Sequence, residues 1–128
     1  MKQLAQELKD KTILLVEDEE YVRTLNASVL SLLVERVIES VDGLDGLVKF
    51  HENKHIDLII VDINMPKLDG ISMCEQIRTI DENIPIIITS GYNEDDNEKK
   101  IKKCKISKYL VKPIDTYNLI DAIQEVLL

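Results

Sequence analysis

The chain has no tryptophan, only two cysteines, and no apolar run approaching the ~20 residues that a membrane span needs. Cys74 and Cys104 stand far apart, outside any C-x-x-C pair or Cys/His cluster, which argues against a zinc site and a disulfide framework and implies two reduced thiols. P-loop and dinucleotide fingerprints are absent. The polar, charged start MKQLAQELKDK is not a secretory signal. Positive charge is in deficit: 16 Lys and Arg face 24 Asp and Glu, for a net charge of −8, so nucleic acid is not expected as a direct ligand. These exclusions predict a cytoplasmic protein, and 128 residues suffice for one domain with one real core.

What the chain does have is a pattern of short apolar runs that end in acids. The stretch IDLIIVDINMPKLDG carries Ile56, Leu58, Ile59, Ile60 and Val61, an apolar, mostly β-branched run typical of a strand buried on both faces of a parallel sheet. It stops at Asp62, and turn-forming Asn64, Pro66, Asp69 and Gly70 follow. A carboxylate there lies at the strand's carboxyl end, where open α/β sheets place their ligands. Residues 13–16 form a similar run and end on Glu17, Asp18, Glu19 and Glu20. The last two suit a helix amino terminus, and the first two lie close enough to the strand to be site candidates.

Along the rest of the chain, strand and helix alternate. Residues 1–11 read as an N-terminal extension, an amphipathic helical turn or a linker, with Leu4 and Leu8 at a four-residue spacing too short to decide between them. A helix over 21–33 is expected to bury Val22, Leu25, Val29, Leu32 and Leu33. A strand over 37–41 is broken by Asp42-Gly43, and the next helix offers Leu44, Leu47, Val48 and Phe50 as its apolar side. His51 and His55 have no nearby ligand partner and read as surface or packing residues. Helix three, over 71–80, carries Ile71, Cys74, Ile77 and Ile80, and strand four runs from Pro85 to Ser90. Acids lead and lysines trail between 93 and 105, which predicts a short, weakly anchored helix held mainly by Ile101. Strand five spans 106–111 and ends at Lys112-Pro113. A last helix, capped by Asp115, buries Leu119, Ile120, Ile123, Val126 and Leu127.

Five strand-helix repeats give a single α/β domain, a doubly wound parallel sheet with right-handed crossovers and helices on both faces. Glu17-Asp18, Asp62, Ser90 and Lys112 all fall at carboxyl ends of strands, hence along one sheet edge. If strands one and three are neighbours, three carboxylates converge beside a hydroxyl and an ammonium. Two unit charges ~4 Å apart repel by about 4 kcal/mol at an effective dielectric of 20, so the cluster calls for a cation. An all-oxygen donor set suits Mg²⁺ or Mn²⁺.

ILLVEDE, LIIVDINMPKLDG, PIIITSG and YLVKPID, in that order and spacing, resemble the four sequence blocks of response-regulator receiver domains of two-component signalling. The resemblance spans about residues 11–128, and the domain is taken as 12–128. It implies a flavodoxin-like (βα)5 fold with strand order 2-1-3-4-5. It further implies that Asp62 accepts a phosphoryl group from a phosphohistidine donor or a small acyl phosphate. Asp18, Asp62 and the main-chain carbonyl of Asn64 would hold Mg²⁺, with Glu17 reaching it through water. Lys112 would pair with the charge on Asp62 and then with the phosphoryl oxygens, Ser90 would donate its hydroxyl to the phosphoryl group, and Ser90 and Tyr109 would switch the surface of helix four, strand five and helix five. The implied chemistry is the domain's own phosphorylation and dephosphorylation, not turnover of a separate substrate. Its partner would be a sensor histidine kinase or phosphotransfer protein. Pro113 would follow a cis bond, and Lys105 stands where the family often has Gly. The lysines around it read either as a solvated face or as a docking surface for an acidic partner.

Two other functions fit parts of the pattern. An aspartyl-phosphate hydrolase also places an Asp nucleophile after a strand, but usually carries a second Asp two residues on, where this chain has Asn64. A receiver-like module that binds partners without phosphorylation is opposed by the presence of Asp18, Asp62, Ser90 and Lys112. The output is not encoded in these residues; the chain reads as a stand-alone receiver or as part of a larger regulator or hybrid kinase.

Overall fold

The computed structural model describes residues 7–91 and 98–128. Leu4 and the rest of the extension up to residue 6, and the acids predicted to open the fourth helix between 93 and 97, lie outside the described residues. The elements are β1 (Thr12–Val16), α1 (Glu20–Ser31), β2 (Arg36–Ser40), α2 (Gly43–Glu52), β3 (Leu58–Asp62), α3 (Gly70–Arg78), β4 (Ile86–Ser90), α4 (Glu98–Cys104), β5 (Lys108–Val111) and α5 (Thr116–Leu127). All strand pairs are parallel, in the order β2-β1-β3-β4-β5.

The sheet is central because its middle strands are apolar on both sides. In β1, Ile13 and Leu15 point to one face and Leu14 and Val16 to the other, as the two-residue strand period requires. The first face packs under α1 and α5 through Ala27, Leu30, Leu119, Ala122 and Ile123. The second packs under α2, α3 and α4 through Leu47, Phe50, Ile71, Met73, Cys74, Ile77, Ile101 and Cys104. Leu8, placed by sequence in the extension, is fully buried on the first face, so the folded unit begins before β1.

Three helices turn differently from the sequence expectation. Leu25 and Leu32 of the first helix region are exposed, and the inward row is Ala27, Leu30 and Val34. The small Ala27 lets α1 lie close to the sheet, which rotates the larger leucines outward. Leu44 and Val48 are exposed as well, because the inward side of α2 contains Gly43 and Gly46. A Cβ on Gly46 would lie 2.9 Å from Met73 Sδ and 3.1 Å from Val16 Cγ2, so the Met73 side chain and Val16 would have to give way. Ile80 follows α3 in an exposed turn, whereas Met73, absent from the predicted row, is fully buried. His51 and His55 are both exposed.

Asp42, Asp69 and Asp115 cap α2, α3 and α5, each accepting the backbone N–H three residues on. Cys74 and Cys104 are buried free thiols, and burial pushes both upward from the usual thiol range.

Candidate functional site

The parallel register brings the carboxyl ends of β1, β3, β4 and β5 to one edge: Val16 lies beside Val61, Asp62 beside Thr89, and Ser90 beside Val111. The chain past each strand stays tied to its neighbour. Glu17 N–H donates to Ser40 O at 3.0 Å, Ile63 N–H to Thr89 O at 3.0 Å, and Lys112 N–H to Ser90 O at 2.5 Å. These bonds hold Glu17, Asp62 and Lys112 in place by main chain, before any side-chain contact.

The side chains then meet. Among the described residues, Glu17, Asp18 and Asp62 form a group whose carboxylate oxygens lie within 4.8 Å of one another. Glu17 and Asp62 are buried. Lys112 Nζ donates to Glu17 Oε1 at 2.6 Å and to Asp62 Oδ2 at 3.1 Å. The other Asp62 oxygen accepts the Asn64 N–H at 3.3 Å, and Glu17 Oε2 accepts the Glu19 N–H at 3.2 Å. Arg23 Nη1 donates to the Glu17 carbonyl at 2.9 Å, fixing the bend out of β1.

Electrostatics follow from this crowding. Burial pushes the Glu17 carboxyl above its usual range; the hydrogen bonds from Lys112 and the Glu19 amide oppose the rise without cancelling it. For Lys112, burial works against the ammonium, but its bond to Glu17 and the charges of Glu17 and Asp62 outweigh that and hold it above the usual lysine value. Two of the three carboxylates thus share one ammonium, and Asp18 lies beside them. The all-oxygen donor set and its uncompensated charge suit a small divalent cation.

Ser90 is fully buried at the end of β4, and Tyr109 is half-buried against the core under α3 and α4. Asn64 is exposed at the mouth of the site. The Lys112-Pro113 bond is cis. The structure therefore brings Glu17, Asp18, Asp62 and Lys112 into one cluster, with Asn64 joined to it through its amide.

Sequence reasoning did not identify the pairing of Lys112 with Glu17, nor the glycines that seat the loop after β3. A Cβ on Gly70 would lie 2.2 Å from the Asp62 carbonyl oxygen, and one on Gly43 would lie 2.2 Å from the Leu68 carbonyl oxygen. The turn glycine of the LDG triplet was the available signal for the first. Gly70→Ala is expected to cost about 1–3 kcal/mol by overpacking, because the obstructing atom is main chain and cannot rotate away. Urea denaturation measures the loss, and an unchanged midpoint would show that the loop yields without cost.

A family model described as "Response regulator receiver domain" matches residues 13–124. The chain is 32% identical over 117 residues to a chemotaxis protein CheY of Treponema pallidum, covering 90% of this chain and 81% of that protein. It is also 32% identical over 117 residues to a CheY of Halobacterium salinarum, covering 91% and 97%. The solved structure of chemotaxis protein CheY4 of Vibrio cholerae superposes with a TM-score of 0.86 at 25% identity, covering 92% of this chain and 99% of that one.

Proposed function

The chain belongs to the response regulator receiver domains, and from that premise we propose that it is the phosphoacceptor of a two-component phosphorelay, with Asp62 as the residue phosphorylated. The observation that carries the reading is the cluster itself: a buried carboxylate at a strand end, two further carboxylates within 4.8 Å, and an ammonium 3.1 Å from the acceptor oxygen.

In this reading an Asp62 carboxylate oxygen attacks the phosphorus of a phosphohistidine. The new O–P bond forms as the P–N bond breaks, and the bonding pair leaves with the imidazole nitrogen. Phosphoryl transfer passes through a loose transition state with charge spread over three equatorial oxygens, so the protein's task is positioning and charge neutralisation. Lys112 moves its ammonium from the carboxylate to a phosphoryl oxygen, and the Ser90 hydroxyl donates to another. Asp18, Asp62 and the Asn64 main-chain carbonyl would hold Mg²⁺ or Mn²⁺, and Glu17, already bonded to Lys112, would reach it through water. When bound, the cation supplies neutralising charge for the phosphoryl oxygens.

The phosphoryl group brings about −1.5 to −2 charge and new acceptor oxygens. Ser90 and Tyr109 pass its presence to α4, β5 and α5, whose surface contacts the output. The donor is a sensor histidine kinase or a phosphotransfer protein, and the domain works in the cytoplasm. Apart from processing its own phosphoryl group it is a signalling element, not an enzyme. No helix among the described residues is long and apolar enough to cross a membrane.

Beryllofluoride, a phosphoryl mimic, tests the reading. It is expected to bind only with Mg²⁺ present, and Mg²⁺ alone is expected to stabilise the fold by about 2.7 kcal/mol at 100 times its dissociation constant. Asp18→Ala is expected to remove most of both responses in a thermal melt. A wild-type melt indifferent to Mg²⁺ and beryllofluoride would instead favour a module that works without phosphorylation.

A further inference from the structure

At the end of α3, the half-buried guanidinium of Arg78 donates to three main-chain carbonyls on two different segments. Its Nε reaches Cys104 O at 2.6 Å, Nη2 reaches Lys105 O at 3.0 Å, and Nη1 reaches Asp81 O at 3.2 Å. Cys104 and Lys105 close the carboxyl end of α4, where the last carbonyls of a helix have no partner within it. Asp81 belongs to the turn that leads into β4, and its Oδ1 accepts the N–H groups of Asn83 at 2.8 Å and Ile84 at 2.9 Å. The planar fork of arginine therefore joins the end of α4 to a braced turn at the opposite edge of the sheet from Asp62.

Three further features fix the same end. Cys104 is 1% exposed, and its thiol donates to Ile71 O at 3.8 Å, within the sulfur hydrogen-bond range. Lys105 takes a left-handed backbone with φ 52° and returns its N–H to Lys102 O at 3.2 Å, a helix-ending geometry uncommon for a non-glycine residue. Ile106 then packs into the core ahead of β5.

We propose that Arg78 is a positioning residue that makes the carboxyl end of α4 a fixed pivot, so that the phosphorylation response moves the helix by tilting its amino end. The proposal rests on the receiver reading for what triggers the motion, but not for the pivot itself. A rigid shift of α4 would break the two arginine bonds to Cys104 O and Lys105 O and lift Cys104 from the core. A tilt about Cys104-Lys105 leaves both intact and places the largest displacement at Glu98, the end that follows β4 and Ser90 in the chain. The sequence expectation of a helix anchored mainly by Ile101 overlooked this end, since carbonyl contacts to an arginine 26 and 27 residues away leave no periodic trace.

Cys104 supplies the readout. Its native labelling rate by a maleimide, located by peptide mass, reports opening at the pivot, and amide exchange at Ile60 in β3 reports global opening. Arg78→Ala is expected to speed Cys104 labelling by at least about tenfold without a matching change at Ile60. Arg78→Lys keeps the charge but not the fork and is expected to stay fast. In the wild type, Mg²⁺ with beryllofluoride is expected to alter amide exchange at 98–101 and to leave Cys104 labelling within about twofold.

Equal acceleration at Ile60, or full protection of Cys104 in either variant, overturns the pivot. Beryllofluoride that exposes Cys104 in the wild type as strongly as Arg78→Ala does overturns it too. If beryllofluoride changes nothing anywhere, the receiver reading fails, while the comparison of unliganded wild type with the Arg78 variants still decides whether Arg78 fixes the end of α4.

Discussion

Asp62→Asn is expected to eliminate the adduct of roughly 80 Da that acetyl phosphate with Mg²⁺ adds to the wild-type chain. The amide keeps the size of the carboxyl group and one oxygen able to accept the Asn64 N–H, which now bonds Asp62 Oδ1 at 3.3 Å. What it loses is the anionic nucleophile. Lys112 is not stranded, because its shorter bond, 2.6 Å to Glu17, remains. The variant should therefore fold, and in the absence of Mg²⁺ it should be at least as stable as the wild type, since one of three crowded carboxylates is gone. Intact-mass spectrometry reads the chemistry and a urea melt reads the fold. A full-yield adduct on the folded variant would move the acceptor to another residue. Loss of the adduct together with loss of the fold would show that the Asp62 charge is structural.

Asp62 and its strand were legible in the sequence for one reason: a strand buried on both faces is an unbroken apolar run, and Asp62 interrupts it. The same logic marked β1 and β4, whose burial on both faces leaves little freedom of phase. Surface helices gave less. Along α1 and α2, apolar residues occur on more than one side, and the side that packs is chosen by small residues, Ala27 in one and Gly43 with Gly46 in the other. Hydrophobic periodicity weights large side chains and so selected Leu25, Leu32, Leu44 and Val48, all of which face solvent.

Polar contacts between distant segments were the least legible. Glu17 and Lys112 are 95 residues apart, and sequence reasoning matched Lys112 with Asp62 because the family resemblance did so. The additional bond to Glu17 depends on the side-by-side placement of β1 and β3 and on the route of the chain after β5. Main-chain acceptors are invisible to residue patterns altogether, which is why the Arg78 contacts had no sequence signature.

Lys112→Met is expected to destabilise the metal-free domain by about 3 kcal/mol at neutral pH, at the lower end of the cost of removing one partner of a buried ion pair. The methionine can fill much of the space of the lysine stem, so the loss is electrostatic more than steric. It leaves the buried Glu17 carboxylate without its 2.6 Å partner, beside Asp18 and Asp62. The pH dependence gives the signature. In the wild type the Glu17 carboxyl is already raised, by burial first, so its contribution favours folding below the ordinary carboxylate range and is lost as pH rises through its raised value. Removing Lys112 takes away the bond and charge that restrain that rise, so the window of loss extends further upward. The difference in stability between variant and wild type should thus be small in acid, where Glu17 is protonated in both, and should widen toward neutrality. At high pH the gap narrows again: the raised Lys112 value gives the wild type a contribution present at neutral pH and lost as pH climbs through it, and the variant lacks that alkaline loss. Mg²⁺ at 100 times its dissociation constant should return about 2.7 kcal/mol to the variant, because a cation neutralises the same carboxylates that the ammonium did. Urea melts across the pH range, with and without Mg²⁺, measure all of this. A stability gap that stays constant from acid to neutral pH would show that Lys112 supports the fold by packing its stem and not by its charge on Glu17.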